Sequence, residues 1–298
     1  MNIGLIGLGR MGTAIAYRLC KAGHTVIAYD KDEAARAAAQ AIGAQIVATE
    51  QEVAQRARVI WLMVPAGEIV DAVIKVLIPK LQKGDIIIDG GNSLFSDSIR
   101  RASMLVQKEI YFLDCGTSGG LHGKELGFSL MIGGEHTIFE QLQPLWHALA
   151  ASHGFVYCGP SGAGHYVKMV HNGIEYAVLQ SYADGFHLLK EGHYKDLDLA
   201  AIAQAWNHGS IIRSWICELT HNVLERDQEF ANVSGEIAES GTGRWTVDEA
   251  HKEGVPVPLI ERALQVRQES RKCGGDYATK LVALLRQEFG GHAVKKKE

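Results

Sequence analysis

The sequence predicts an α/β protein: a Rossmann-type doubly wound sheet at the N-terminus, followed by an all-α C-terminal domain. Three observations predict it. Short apolar runs alternate with helical stretches through the first half, a G-x-G-x-x-G follows the first of these runs, and strand signals stop after Gly159-Pro160. Apolar runs separated by helices are the signature of βαβ units, and long helical segments without strands read as a helical domain. The boundary is placed near residue 160. Residues 1–160 then form a dinucleotide-binding domain and 161–298 a helical substrate and oligomerisation domain.

Taken in order, a strand over 3–6 leads into a helix over 13–21, a strand over 25–29 and a helix over 33–41. Strands over 59–64 and 86–89 continue the sheet, and runs at 111–115, 129–132 and 155–158 extend it. Beyond residue 160 the segments are rich in alanine and leucine, and the last predicted helix covers 277–289.

Composition bounds the function. With 298 residues, 47% hydrophobic and 21% charged, the chain can bury a sizeable core and build two domains. A net charge of −4 gives no bulk attraction to nucleic acid or to an acidic membrane, so an anionic ligand needs local cations. The five cysteines form no C-x-x-C pair, and the 13 histidines show no H-E-x-x-H spacing, so reduced thiols and no bound metal are expected. Neither an export signal nor a membrane span is read, and the expected location is cytoplasmic. Residues 295–298 read as a frayed, solvated tail.

Gly7-Leu8-Gly9-Arg10-Met11-Gly12 is the first chemical motif. After a strand and before a helix, its glycines allow a tight turn, a close approach to a pyrophosphate and close helix–strand packing, with the helix N-terminus facing the phosphates. The second strand ends at Asp30, whose carboxylate can accept hydrogen bonds from the adenosine ribose. A carboxylate there repels a 2′-phosphate, so NAD is favoured over NADP, with Arg10 and Lys31 the nearby cations able to oppose that preference. Two more glycine-rich segments, Asp89-Gly90-Gly91-Asn92-Ser93 and Gly116-Thr117-Ser118-Gly119-Gly120, end strands on the carboxyl side of the sheet, where a nicotinamide would lie.

On a helix, Lys168, His171, Asn172, Glu175 and Tyr176 fall on one face, at i, i+3, i+4, i+7 and i+8. Val167, Met169, Val170, Ile174, Ala177 and Val178 are expected on a packed face opposite. Lys168 and Glu175 would be roughly 10 Å apart along the axis, a separation at which an acid and a base can flank a small sugar acid.

These segments, with Gly162-Ala163-Gly164-His165, the run from Lys168 to Tyr176 (K-M-V-H-N-G-I-E-Y) and Gly241-Thr242-Gly243 before Trp245-Thr246, resemble 6-phosphogluconate dehydrogenase. The likeness runs from Gly4 to about His292, and the length is similar to a short form of that family without the duplicated helical unit. The resemblance implies oxidative decarboxylation of 6-phospho-D-gluconate to ribulose 5-phosphate and carbon dioxide with reduction of NAD, a step of the pentose phosphate pathway and of gluconate utilisation. By similarity Lys168 is the general base and later acid at the C3 oxygen, and Glu175 protonates the enediol. Asn92, Ser118, Gly119, Gly120, His171 and Asn172 would hold the sugar hydroxyls and carboxylate, and Tyr176, Arg267, Arg286 and His292 the phosphate. Val64, Pro65, Ala66 and Asn92 would join the fingerprint at the cofactor. Three positions depart from the family pattern: Ser240 and Pro65 each stand where relatives carry a lysine, and Asp30 replaces the residues that hold a 2′-phosphate.

The resemblance also implies a homodimer or higher homo-oligomer in which the C-terminal tail of one subunit completes the neighbouring site. Two other readings share part of the pattern. A non-decarboxylating 3-hydroxyacid dehydrogenase of the 3-hydroxyisobutyrate type needs neither Glu175 nor the C-terminal cations, and a non-catalytic dinucleotide sensor needs no Lys168 face.

Overall fold

The computed structural model describes residues 1–239 and 241–297, so Ser240 lies outside the described residues. The chain divides into two compact units, residues 1–169 and 170–298. The division falls inside the helix that begins just beyond Gly159-Pro160.

In the first unit the elements run β1 (Asn2–Ile6), α1 (Arg10–Lys21), β2 (Thr25–Tyr29), α2 (Glu33–Ala41), β3 (Gln45–Ile46), α3 (Glu50–Arg56), β4 (Val59–Leu62), α4 (Glu68–Leu77), β5 (Ile86–Asp89), α5 (Phe95–Val106), β6 (Tyr111–Ser118), α6 (Gly123–Leu126), β7 (Phe128–Gly133), α7 (His136–Gln141), α8 (Gln143–Leu149) and β8 (Ala150–Gly159). One eight-stranded sheet has the order β3-β2-β1-β4-β5-β6-β7-β8. It is a doubly wound sheet with one irregularity: β7 runs antiparallel to β6, because a short turn at 120–127 joins them without a crossover helix. Alternate residues of each strand face opposite layers. Ile88 and Leu113 pack with Ile15, Leu145 and Trp146 of α1 and α8, while Ile87 and Phe112 pack with Val53, Ile74 and Leu105 of α3, α4 and α5.

The helix α9 (Ala163–Glu191) begins in the first unit and continues into the second, which also holds α10 (Leu199–Gly209), α11 (Trp215–Arg226), α12 (Thr242–Lys252), α13 (Pro258–Cys273) and α14 (Tyr277–Gly290). Local chemistry fixes where several of these helices start. The side chains of Asp198, Ser214 and Asp276 accept backbone N–H bonds in the first turns of α10, α11 and α14, each worth about 1 kcal/mol. The core of the unit joins Leu179, Ala183 and Phe186 of α9 to Val223 of α11 and to Leu281, Val282 and Leu285 of α14.

The C-terminal segment differs from the solvated tail expected from its charge. Lys296 pairs with Val233 in an antiparallel bridge, the Lys297 N–H donates to the Asn232 carbonyl, and Lys295 pairs with Glu236. Backbone hydrogen bonds tie down a segment whose side chains remain exposed.

Candidate functional site

The nucleotide fingerprint lies where β1 turns into α1. Gly7 has φ +96°, and a Cβ on it would come within 2.3 Å of the Met63 carbonyl; one on Gly12 would come within 2.0 Å of the Gly7 carbonyl. Only glycine fits either place. Gly9, by contrast, is exposed and has open space where a Cβ would stand, as a backbone awaiting a close ligand requires. Asp30 ends β2 and reaches back over this turn: its carboxylate accepts from Leu8 N–H (2.6 Å) and Asp32 N–H (2.8 Å). The donor set therefore fits a dinucleotide: α1 starts after Gly9 without a side-chain cap, and two backbone N–H groups hold the Asp30 carboxylate at this turn. Arg10 and Lys31 are exposed. Among the described residues no group of three or more His, Cys, Asp or Glu side chains could hold a metal ion.

At the ends of β4, β5 and β6 stand the loops read as facing the nicotinamide. Val64 is half-buried, whereas Pro65, Ala66 and Asn92 are exposed. Asn92 sits between Gly91, whose N–H donates to Asp89 Oδ1 (3.1 Å), and Ser93, whose Oγ donates to Asp89 Oδ2 (2.7 Å). Ser118, the last residue of β6, and Gly119 and Gly120 just beyond it are half-buried.

Gly116 is where Lys168 is placed. A Cβ on Gly116 would lie 2.3 Å from Lys168 Cβ, so α9 presses on β6 at this point and the lysine is 6% exposed. The N-terminus of α9 is anchored there by Asp114, a buried carboxylate that accepts from Gly162 N–H (2.6 Å) and His165 N–H (2.8 Å). Sequence reading assigned Asp114 no role. A carboxylate two residues before Gly116 in an apolar strand gives no sign of its partners at the start of α9.

The structure corrects the expected facing of α9 in part: Met169 is buried and Val170, Ala177 and Val178 half-buried, as expected of the apolar face. Lys168, Asn172 and Tyr176 are buried, His171 and Glu175 half-buried, while Val167 (38%) and Ile174 (54%) are exposed. A helical wheel groups residues into faces but does not say which face is covered. Close-packed glycines decide it: Gly116 receives Lys168, and Gly243 receives the Tyr176 ring, with a would-be Cβ 2.3 Å from Tyr176 Cε2.

Around Tyr176 the second unit gathers cations. Arg267 stacks on its ring with the guanidinium carbon 3.3 Å from the ring centroid. Arg267 is 2% and Arg286 6% exposed. The Arg267 Nη2 and the Tyr176 hydroxyl are both buried without a hydrogen-bond partner. Burial pushes the Arg267 guanidinium down to about 10, with the neighbouring Arg286 adding to the fall and Tyr176 and Glu175 opposing it. Burial lowers Arg286 as well, against Tyr176 and Glu175. Two buried guanidiniums, one of them with an unsatisfied Nη2 donor, form a ready anion site.

Arg286 lies within electrostatic reach of Tyr176 and Glu175 of its own chain. The reason is the packing of α14 against α9 through Leu281, Val282 and Leu285. His292 is half-buried just beyond, its ring 6.3 Å from that of Phe289.

Residues 2–159 match the NAD binding domain of 6-phosphogluconate dehydrogenase, and residues 164–296 match the 6-phosphogluconate dehydrogenase C-terminal domain. The chain belongs to the 6-phosphogluconate dehydrogenase family. A protein of Haloferax volcanii named 6-phosphogluconate dehydrogenase, NAD(+)-dependent, decarboxylating is 46% identical over 303 residues, covering 100% of both chains. Among solved structures, the Plasmodium falciparum 6-phosphogluconate dehydrogenase is similar with TM-score 0.81 and 28% identity, over 96% of this chain and 70% of that one. The 3-hydroxyisobutyrate dehydrogenase of Salmonella typhimurium shares the fold with TM-score 0.79 and 21% identity, over 95% of this chain and 99% of that one.

Proposed function

We propose that the protein is an NAD-dependent, decarboxylating 6-phosphogluconate dehydrogenase of the short form. The observation that carries this reading is the pair of buried arginines at Tyr176, with Arg267 Nη2 and the Tyr176 hydroxyl unsatisfied. A buried cation with an unsatisfied donor is costly, and a phosphate dianion supplies both charge and acceptors. A 3-hydroxyisobutyrate-type substrate carries no phosphate and would leave Arg267 Nη2 and the Tyr176 hydroxyl unsatisfied.

In this reading Lys168 takes the proton of the C3 hydroxyl. Bound NAD supplies the hydride acceptor at that carbon. The Lys168 ammonium then donates to the 3-keto oxygen, where negative charge develops as the carboxylate leaves as carbon dioxide. Glu175, two turns further along α9, protonates the enediol carbon. Asn92, Ser118, Gly119, Gly120, His171 and Asn172 bind the hydroxyls and carboxylate, and His292 joins the arginines at the phosphate. Gly7 to Gly12, Val64, Pro65, Ala66 and Asn92 contact the cofactor, and Asp30 selects NAD. Exposed Ile174, Leu188, Ile211 and Ile212 in the helical unit support burial against a second copy of the chain. A cytoplasmic location goes with this reading; no described helix is long and apolar enough to cross a membrane.

The test is an assay of reduced nicotinamide formation with 6-phosphogluconate or 3-hydroxyisobutyrate, each offered with NAD or NADP. The proposal requires the 6-phosphogluconate and NAD pair to give the highest kcat/KM. A preference for 3-hydroxyisobutyrate overturns the substrate reading, and a preference for NADP overturns that of Asp30.

A further inference from the structure

Two polar side chains on α5, Ser98 and Arg101, are wholly buried on the face of the helix that packs on the sheet. Every N–H of the Arg101 guanidinium has an acceptor. Nε donates to Asp71 Oδ1 (2.9 Å), Nη1 to Asp89 Oδ2 (3.2 Å) and Ser93 Oγ (3.3 Å), and Nη2 to the Gly67 carbonyl (2.9 Å) and Asp71 Oδ2 (3.3 Å). Arg101 therefore joins the loop after β4, which carries Val64, Pro65 and Ala66, to the loop after β5, in which Asn92 lies between its partners Asp89 and Ser93. One turn earlier, Ser98 Oγ is 2.7 Å from His165 Nδ1. His165 is 1% exposed, and its Nε2 has no partner, so the Ser98 contact is what orients the ring. His165 and Lys168 stand at i and i+3 in the first turns of α9.

An apolar pair would hold α5 on the sheet at least as well, because buried ions pay desolvation that their pairing rarely exceeds. What an apolar pair cannot do is fix the separation and orientation of several loops through directed bonds. We infer that Arg101 and Ser98 are positioning residues of the reaction: Arg101 sets the two cofactor-facing loops against each other, and Ser98, through His165, sets the turn of α9 that aims Lys168. The Ser98 half rests on the role proposed above for Lys168; the Arg101 half needs only a dinucleotide site.

The experiment uses full-length Arg101→Lys, Ser93→Ala, Ser98→Ala and Ser98→Thr proteins. NADH affinity is titrated by fluorescence without substrate, kcat and KM are measured with 6-phosphogluconate, and Tm is recorded for each. Arg101→Lys keeps the charge but cannot reach five acceptors, and is expected to raise the NADH Kd at least fivefold. Ser93→Ala, which removes one bond to Asp89 and one from Arg101, is the milder probe of the same loop and should raise it at least twofold. Ser98→Ala should leave the NADH Kd unchanged and lower kcat at least fivefold with little change in KM, and Ser98→Thr, which keeps the hydroxyl, should restore kcat. A role confined to holding the fold would lower Tm and leave Kd and kcat of the folded proteins within twofold of the unmodified enzyme; that result overturns the inference. If the unmodified protein binds NADH but does not oxidise 6-phosphogluconate, the proposed function fails on its own, and the NADH titrations still decide for or against Arg101.

Discussion

Replacing Arg267 by methionine separates binding from stability. Burial holds its guanidinium below its ordinary value, at about 10, which corresponds to roughly 3 kcal/mol against the charged form in the folded protein. Opposing this is the stack on Tyr176, worth about 2 kcal/mol for a desolvated pair. Methionine fills similar space without a charge to desolvate, so the unliganded variant should be as stable as the unmodified protein or about 1 kcal/mol more so, a Tm shift of 0 to roughly +4 °C. Substrate binding should suffer in the opposite sense. Losing two charge-assisted hydrogen bonds to a phosphate at about 1.5–3 kcal/mol each raises KM by on the order of 10² to 10⁴. Thermal unfolding with and without 6-phosphogluconate, beside steady-state kinetics, reads both effects, and the variant should lose the substrate-induced rise in Tm. A Tm drop of more than about 5 °C with unchanged KM would mean that Arg267 is a structural cation, and the phosphate assignment would fall.

Four further outcomes follow from the site. Lys168→Ala should lower kcat by on the order of 10² or more while the protein still binds NADH, which single-turnover measurements would resolve. Asp30→Ala should lower kcat/KM with NAD by about tenfold and narrow the gap to NADP, since a charged acceptor is lost and a repulsive charge removed; an unchanged coenzyme ratio counts against Asp30. Gly116→Ala places a methyl 2.3 Å from Lys168 Cβ, and the forced shift should lower kcat more than tenfold with NADH affinity preserved. Asp71 is held below the usual carboxylate range, first by its hydrogen bond from Arg101, so its contribution to stability is full above about pH 4 and lost as pH falls through its folded value. Asp71→Asn should therefore show a shallower loss of Tm between about pH 5 and 3.

The dinucleotide half was legible because its signals are local. Gly7, Gly12 and Asp30 act within one βαβ unit, and spacing alone brings them together. Which side of α9 is covered was not legible, since Val167 and Ile174 look like core residues until Gly116 and Gly243 are seen to receive Lys168 and Tyr176 instead. Arg267 and Arg286 read locally as surface charges; only packing of α13 and α14 in the second unit buries them, and only the family resemblance pointed to them beforehand. Ser98, Arg101 and Asp114 left no usable trace, because their partners Asp71, Asp89, Gly162 and His165 are distant in sequence or indistinguishable from ordinary polar positions. The bridge from Lys296 to Val233 was hidden in the same way, since composition describes a lysine run as solvated whatever its backbone does.

The central claim is that this chain couples oxidation at C3 to loss of the adjacent carboxylate, and labelled carbon dioxide tests it most directly. 6-Phosphogluconate carrying ¹³C at C1 is turned over with NAD, and the ¹³CO₂ released is compared with the NADH formed. A decarboxylating dehydrogenase gives a one-to-one ratio, with loss of both products in Lys168→Ala. NADH formation without ¹³CO₂, or with a stable keto acid in its place, would contradict it.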